Sequence, residues 1–215
     1  MKITNIEARD LSEAFFKCCR EVLTEGYEYT IDKGSFEGTK RRELDFVTIH
    51  IKNPGMRPLT PDVPPGVPPP TSQDYIDEYM AYLMTDDKQT HELYTYGEDI
   101  APQVDIIIDR YKKDGPECNQ LCMSVGSRES IGLEHSQCLR LVDTRIRYNK
   151  LHFIIYFRSW DLWAGFPTNL GGLQLLKEYM ATEIGVEDGE MICASKGLHL
   201  YEYSWDFARL SSRLE

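Results

Sequence analysis

The spacing of apolar residues predicts four helices in the 215-residue chain. In residues 11–26, apolar side chains recur at helical spacing and Gly26 can end the helix. Residues 72–84 and 101–113 predict two further helices. Residues 170–185 carry the clearest apolar stripe and predict the fourth helix.

Short runs of branched and aromatic residues predict the strands. Residues 44–51 alternate between apolar and polar side chains, which indicates a half-buried strand. Residues 135–159 predict two strands joined by a turn at 148–150, and residues 190–203 predict a last strand region. Strands mixed with irregularly spaced helices favour a layered α+β (α/β layered) domain.

A proline-rich segment interrupts this pattern, since residues 53–70 hold eight of the eleven prolines. Such a segment forms neither a helix nor a central strand. A linker between two domains is one interpretation. Because the segments on both sides resemble parts of one core, we expect a surface crossover at 53–71 within a single domain spanning 1–215.

Charge and composition narrow the function classes. The formal net charge of −11 argues against nonspecific binding to nucleic acid or anionic membranes. A few arginines in a cleft can still bind an anionic small molecule. No apolar stretch approaches the roughly 20 residues that span a bilayer. We therefore expect a cytoplasmic protein that binds neither nucleic acid nor membrane.

The six cysteines predict free thiols rather than disulfides, as in a cytosolic protein of this size. Cys118 and Cys122 are four residues apart, but no second pair completes a zinc site. We therefore expect no bound metal.

One cysteine is a candidate nucleophile. Cys138 begins one strand of the predicted hairpin and Arg158 ends the other, so both are expected at the same edge of the sheet. A neighbouring cation favours the reactive thiolate form of a cysteine. A buried, inert structural cysteine is the alternative.

Three polar residues near the C-terminal half are further candidates. Asn169 precedes the predicted helix 170–185, where it would serve as an N-cap or recognise a ligand edge. His199 and Tyr201 are two apart in a predicted strand and face the same way. They could hold a sugar hydroxyl or be ordinary half-buried strand residues.

These stretches together resemble the thymidylate synthase family, and most of all its short archaeal branch. The family motif R-S-x-D-x-x-L-G-x-P-x-N stands here as "RSWDLWAGFPTN", residues 158–169. The family cysteine lies twenty residues before the arginine, as Cys138 does here. The family's H-x-Y element matches residues 199–201, and its Tyr-Gly pair matches residues 96–97.

The resemblance implies a reaction, namely reductive methylation of deoxyuridylate (dUMP) to thymidylate (dTMP). Cys138 would attack carbon-6 of the pyrimidine and form a covalent adduct. Tyr96 would help to remove the carbon-5 proton. Arg158 and Ser159 would hold the 5′-phosphate, with Arg158 also near the thiolate. A planar guanidinium suits a phosphate because it donates two parallel hydrogen bonds.

The resemblance also implies how the rest of the substrates would be held. His199 and Tyr201 would bind the ribose 3′-hydroxyl, and Asp161 would contact the pterin. Asn169 would recognise uracil, whereas deoxycytidylate hydroxymethylases of this fold have aspartate there. The one-carbon donor would be 5,10-methylenetetrahydrofolate or a methylene-tetrahydromethanopterin-type pterin. The family fold is a twisted mixed sheet flanked by helices, with one sheet face pairing in a homodimer.

The first 95 residues match the family weakly and leave three assignments open. Glu78 would be the catalytic glutamate, because "DEYMAYL" is spaced like the family's "ELLWFL" helix; the alternative is a solvated helix residue. Arg41 or Arg42 would be the phosphate-binding arginine of the N-terminal loop. The alternative is a basic turn on an acidic surface.

The chain also departs from the family pattern. Leu139 replaces a histidine after the cysteine, and Phe157 replaces a glutamine before the arginine. Asn119 and Gln120 stand where an Arg-Arg pair reaches the partner's phosphate, and Ala164 replaces the motif leucine. The ending "SSRLE" lacks the family's apolar closing tail. Two alternatives therefore stay open: a pyrimidine-nucleotide hydroxymethylase and a nucleotide-binding relative without catalysis.

Overall fold

A computed structural model describes residues 1–34, 36–88, 92 and 94–213 of the chain. It contains ten strands and five helices among these residues. The helices are α1 (Leu11–Glu25), α2 (Gln73–Leu83), α3 (Gly97–Asp114), α4 (Gly165–Ile184) and α5 (Trp205–Ser212). The strands are β1 (Ile3–Ala8), β2 (Tyr27–Thr30), β3 (Lys40–Glu43), β4 (Phe46–Ile51), β5 (Cys122–Ser124), β6 (Leu139–Arg147), β7 (Lys150–Phe157), β8 (Trp160–Asp161), β9 (Glu187–Ser195) and β10 (Leu198–Tyr201).

The strands form two mixed sheets. The larger sheet has six strands in the order β1-β4-β9-β7-β6-β5, and the smaller has four in the order β2-β3-β10-β8. The pairs β1–β4, β7–β9 and β8–β10 are parallel, and the other neighbouring strands are antiparallel. Helices flank the sheets, which confirms the predicted layered mixed fold.

One hydrophobic cluster includes residues from Ile6 in β1 to Ala208 in α5. The long helix α4 packs on β7 and β9 and contacts α1, α2 and α3. The two glycines of α4, Gly171 and Gly172, face Ile76 and Tyr79 of α2 so closely that an added Cβ would collide with them. Helix α2, and with it Tyr79, is thereby held against α4.

The hairpin predicted at residues 135–159 is present as β6 and β7. Its turn residues Tyr148 and Asn149 have φ angles of 53° and 58°. Two consecutive residues with positive φ characterise the type I′ turn, whose twist matches that of the flanking strands. The turn fixes the register, in which Leu139 pairs with Phe157 at the far end.

Several predicted boundaries were wrong. Helix α4 begins at Gly165 after Ala164, so Asn169 lies within the helix and is not its N-cap. Helix α3 begins at Gly97 rather than 101 and contains Pro102. Region 190–203 is two strands in different sheets, not one.

Three other expectations can be compared with the structure. The proline-rich crossover lacks helix and strand, but it is anchored because Leu59 and Val67 are buried. All six cysteines are free, as predicted. Within the described part of the chain, no helix is both long and apolar enough to cross a bilayer.

Candidate active site

Cys138 and Arg158 meet at the open end of the hairpin. The backbone N–H of Arg158 donates to the carbonyl of Cys138 at 2.9 Å. The Arg158 side chain turns back over the same residues, with Nη2 3.7 Å from the Cys138 Sγ. It also donates to the carbonyls of Gln137 (3.0 Å) and Ser136 (2.5 Å). The guanidinium is therefore fixed beside a half-buried thiol.

Arg158 also lines a basic cleft of about 450 Å³. The lining residues include three more basic side chains and two aromatic rings. They are Ile31, Lys33, Gly34, Phe36, Arg41, Glu134, His135, Arg158 and Tyr201. Although the whole chain is acidic, this excess of basic side chains favours an anion at one end of the site.

Strand alternation separates the two candidate arginines of β3. Arg41 faces the basic cleft and forms an ion pair with Glu43. Its buried Nε has no partner in the part of the chain that the structure describes. Arg42 points the opposite way, where it pairs with Glu28 at 2.9 Å and lies over the Trp205 ring at 4.7 Å. The structure therefore brings Arg41 to the site and not Arg42.

His199 lies beside Arg41 because β3 and β10 pair, with Tyr201 opposite Arg41. The His199 Nδ1 is 2.8 Å from the carbonyl of Gly197, which defines Nδ1–H as a donor. The other ring nitrogen, Nε2, is buried and has no hydrogen-bond partner among the described residues. Burial, reinforced by the Arg41 charge, lowers the pKa of His199 to about 3. The ring is thus neutral, and Nε2 is an unused acceptor.

Tyr201 completes this side of the site. Its ring packs edge-on against His199 at 4.8 Å between centroids and stacks on Phe36 at 4.1 Å. The predicted pair His199 and Tyr201 is therefore together, and Tyr201 lines the basic cleft.

A second cleft, the tyrosine cleft, has a volume of about 570 Å³. Its lining is mainly phenolic, with two carboxylates and one amide. The lining residues are Tyr75, Glu78, Tyr79, Tyr82, Glu92, Tyr94, Tyr96 and Asn169. Glu78 is exposed on α2 and faces this cleft.

Tyr96 connects the tyrosine cleft to the cysteine. Its hydroxyl accepts a hydrogen bond from the backbone N–H of Leu139, at 3.3 Å. Burial raises the pKa of Tyr96 well above its ordinary value, so the phenol stays protonated. The next residue is a glycine, Gly97, because a Cβ at this position would collide with the carbonyls of Tyr82 and Thr85. Arg158 of the basic cleft contacts Cys138, and Tyr96 of the tyrosine cleft contacts the next residue, Leu139, so the thiol lies near residues of both clefts.

Asn169 is held at both ends of its carboxamide. Oδ1 accepts from the Trp160 indole N–H at 3.0 Å, and Nδ2 donates to the Tyr79 hydroxyl at 2.8 Å. Trp160 and Tyr79 were missed by the sequence analysis. Tyr79 lies in the predicted helix 72–84, but no residue near it in the sequence indicates its contact with residue 169.

Asp161 and Ser159 complete the candidate set. The Asp161 Oδ1 accepts from the backbone N–H groups of Trp163 (2.9 Å) and Ala164 (3.3 Å) and so holds the entry to α4. Burial raises the pKa of Asp161, while those N–H groups and Arg41 oppose the rise. Ser159 is half-buried and directly follows Arg158.

Three residues that depart from the family pattern make contacts within the described part of the chain. Leu139 and Phe157 are buried in the core, and Phe157 stacks on Trp160 at 4.2 Å. Gln120 accepts from Arg110 at 3.3 Å. The end of the chain, residues 214–215, lies outside the described residues.

Comparisons with known proteins agree with the resemblance. A family model described as thymidylate synthase matches residues 83–213. A Methanosarcina mazei protein named "Putative thymidylate synthase" is 26% identical over 207 residues, which cover 94% of this chain and 91% of the relative. A protein of the same name from Methanothermobacter marburgensis is 25% identical over 220 residues, with 95% and 96% coverage. The thymidylate synthase of Listeria monocytogenes is 33% identical over 116 residues, 53% of this chain and 36% of that protein.

The comparisons define the class of protein, which is a family of methyltransferase enzymes. The family match covers more than half of the chain, and the archaeal relatives align over nearly all of it. The chain belongs to the thymidylate synthase family. That family uses dUMP and a reduced folate-type co-substrate.

Proposed function

We propose that the protein is a thymidylate synthase that converts dUMP to dTMP through a covalent adduct on Cys138. The observation that carries the proposal is the 3.7 Å contact between the Cys138 Sγ and the Arg158 Nη2, beside the basic cleft that Arg158 lines. A thiol beside a guanidinium combines a nucleophile with a phosphate-binding group.

In this proposal the 5′-phosphate lies in the basic cleft. Within the described residues, Nη1 of Arg158 donates to no protein group, while Nε and Nη2 are engaged. Arg41 contributes a second guanidinium, and Ser159 contributes a hydroxyl. Arg42, the other candidate, makes its contacts on the opposite face of β3 and is assigned no role at the phosphate.

The ribose then lies against β10. The Nε2 of His199 accepts a hydrogen bond from the 3′-hydroxyl, and the Tyr201 phenol binds the same group. This placement gives the buried Nε2 a partner, which it lacks among the described residues. Buried polar atoms without partners are uncommon, and they are often found where a ligand binds.

The chemistry takes place at the cysteine. The Cys138 thiolate bonds to carbon-6 of the uracil, and carbon-5 then takes the methylene unit of the reduced pterin and loses its proton. The hydride that reduces this methylene to methyl comes from the same reduced pterin, and the bond from Cys138 to carbon-6 breaks as dTMP forms. Because a protonated phenol is a poor base, Tyr96 orients the group that accepts the carbon-5 proton. Glu78 faces the same cleft and is assigned to proton transfer, while Asp161 contacts the pterin.

Asn169 favours uracil over cytosine. Its carboxamide offers one acceptor and one donor, which match the ring N–H and the neighbouring carbonyl of uracil. The tyrosine cleft supplies aromatic surface for the pterin, either methylenetetrahydrofolate or a methylene-tetrahydromethanopterin-type donor. The proposed site uses no metal, and no group of three His, Cys, Asp or Glu side chains among the described residues could hold one.

We also propose a cytoplasmic homodimer of single-domain subunits. The face of the six-stranded sheet that points away from the helices exposes adjacent isoleucines. Ile154 and Ile192 are cross-strand partners and are 37% and 41% exposed. Adjacent exposed isoleucines on a sheet face favour pairing with a second copy, because burial of apolar surface drives association.

The test is trapping of the adduct. The protein is incubated with 5-fluorodeoxyuridylate and each methylene-pterin in turn, and its mass is measured. We expect the parent and a Cys122→Ser control, which removes an exposed thiol, to gain the adduct mass. Cys138→Ser is expected to gain none. A parent that stays unmodified with both pterins would support a nucleotide-binding protein without catalysis.

Substrate choice is tested separately by tritium release from carbon-5 of dUMP and of deoxycytidylate (dCMP). We expect kcat/KM for release from dUMP to be far higher than for release from dCMP. Release from dCMP alone would favour the hydroxymethylase alternative and overturn the role of Asn169.

A further inference from the structure

The carboxamide of Asn169 does not by itself distinguish uracil from cytosine. Rotation of the side-chain amide by 180° exchanges its acceptor and donor. In one orientation it matches uracil, whose N3 donates and whose O4 accepts. In the other it matches cytosine, whose N3 accepts and whose N4 donates. Something other than Asn169 must therefore fix the orientation.

Trp160 has the chemistry to do so. An indole N–H donates and never accepts, so the atom 3.0 Å from it must be the carbonyl oxygen Oδ1. A flipped amide would place two N–H groups against each other. Trp160 cannot easily move away, because it is 2% exposed and lies between Phe157 (4.2 Å) and Phe166 (4.6 Å).

Tyr79 does not select an orientation. Its hydroxyl lies 2.8 Å from Nδ2 and accepts from it. A hydroxyl can rotate to donate instead, so it would serve equally well beside an oxygen. Of the two groups that hold Asn169, only Trp160 distinguishes the two ends of the carboxamide.

The two contacts leave half of the carboxamide unused. Oδ1 keeps one lone pair, and Nδ2 keeps one N–H, on a side chain that lines the tyrosine cleft. We propose that Trp160 is a positioning residue that sets the choice of uracil over cytosine by locking the Asn169 carboxamide in one orientation. This inference rests on the proposed function, since it concerns the nucleotide bound at that site.

The test compares tritium release from dUMP and dCMP by four proteins: parent, Trp160→Phe, Tyr79→Phe and Trp163→Phe. Trp160→Phe removes the N–H and keeps an aromatic ring between Phe157 and Phe166. We expect its dUMP-to-dCMP ratio of kcat/KM to fall by about ten-fold, the worth of one buried hydrogen bond to an otherwise unpaired group. Tyr79→Phe is expected to lower kcat/KM for both nucleotides and to keep the parent's ratio.

Trp163→Phe is the matched control, because Trp163 is another buried tryptophan of the same motif and packs on Phe15 and Phe207. We expect the parent's ratio from it. The inference would be overturned if Trp160→Phe kept the parent's dUMP-to-dCMP ratio of kcat/KM. It would also be overturned if this ratio fell equally in Tyr79→Phe and Trp160→Phe. A parent that releases tritium from neither nucleotide would overturn the proposed function and the inference with it.

A second variant separates orientation from packing. Site-specific replacement of Trp160 by benzothienylalanine exchanges the N–H for sulfur and keeps the size of the ring. We expect the same fall in the ratio as for Trp160→Phe, with a thermal midpoint close to that of the parent. An unchanged ratio in this folded variant would contradict the role of the indole N–H.

Discussion

The unpartnered nitrogen of His199 gives a sharp prediction. In the proposed complex, Nε2 accepts a hydrogen bond from the ribose 3′-hydroxyl. Two changes remove this bond, one on each side: His199→Phe removes the acceptor, and 3′-deoxy-dUMP removes the donor. If Nε2 and the 3′-hydroxyl are in contact, the losses of kcat/KM caused by the two changes are not additive.

The size of the expected loss of kcat/KM follows from the contribution of one hydrogen bond. A hydrogen bond between neutral groups contributes about 0.5–1.5 kcal/mol net, so the bond to His199 should account for a roughly two- to ten-fold loss of kcat/KM when the 3′-hydroxyl is removed from the substrate of the parent. In His199→Phe only the bond to Tyr201 is left to lose, so the same removal should cost less by that factor. The coupling in this cycle is therefore expected to be about 1 kcal/mol.

The pH dependence sharpens the test. Because the pKa of His199 is lowered to about 3, Nε2 remains an acceptor throughout the range from pH 8 to pH 5. The ratio of kcat/KM for dUMP and its 3′-deoxy analogue should then stay constant over that range. Titration of the phosphate affects both substrates alike and cancels in the ratio.

Tritium release with both nucleotides and both proteins measures all of these quantities. A coupling near zero would mean that His199 does not contact the 3′-hydroxyl. A ratio that collapses between pH 7 and pH 6 would mean that the ring protonates near its ordinary pKa. Either result would refute the assignment of Nε2 as the acceptor.

Two further predictions concern the phosphate and the assembly. Arg41→Ala should raise the KM for dUMP about ten-fold or more, because a charge-assisted hydrogen bond to the phosphate is lost. Arg42→Ala should keep the KM within about two-fold of the parent's. Equal effects of the two substitutions on KM would contradict the assignment of Arg41 alone to the cleft. In light scattering, Ile192→Glu should reduce the mass from twice 24.9 kDa to 24.9 kDa, while Ile106→Glu, at an exposed helix position, should leave a dimer. A monomeric parent would refute the proposed dimer.

The comparison of prediction with structure shows where local information sufficed. Helix α1 and the β6–β7 hairpin were predicted because apolar spacing and turn chemistry act over a few residues. The meeting of Cys138 and Arg158 followed from the hairpin alone. A tight turn returns two residues to the same edge whatever surrounds them.

Helix starts were less predictable. The segment "GFPTN" contains a glycine and a proline, so the sequence predicts a helix that begins only at residue 170. In the structure Pro167 lies in the first turn of α4, where no intrahelical partner for its missing N–H is needed. The earlier start turns Asn169 from a cap into a side chain within the helix, held by Trp160 and Tyr79.

The sequence by itself determined the family motif, the helices with clear stripes and the pairing of thiol with guanidinium, because each depends on residues close along the chain or on their spacing. The tertiary structure alone decided that Arg41 rather than Arg42 faces the cleft, that His199 keeps a free nitrogen, and that Asn169 is clamped. Those facts depend on β3 pairing with β10 and on α2 packing against α4. Such contacts join segments up to 160 residues apart, where register and burial are set by the whole core and not by local propensity.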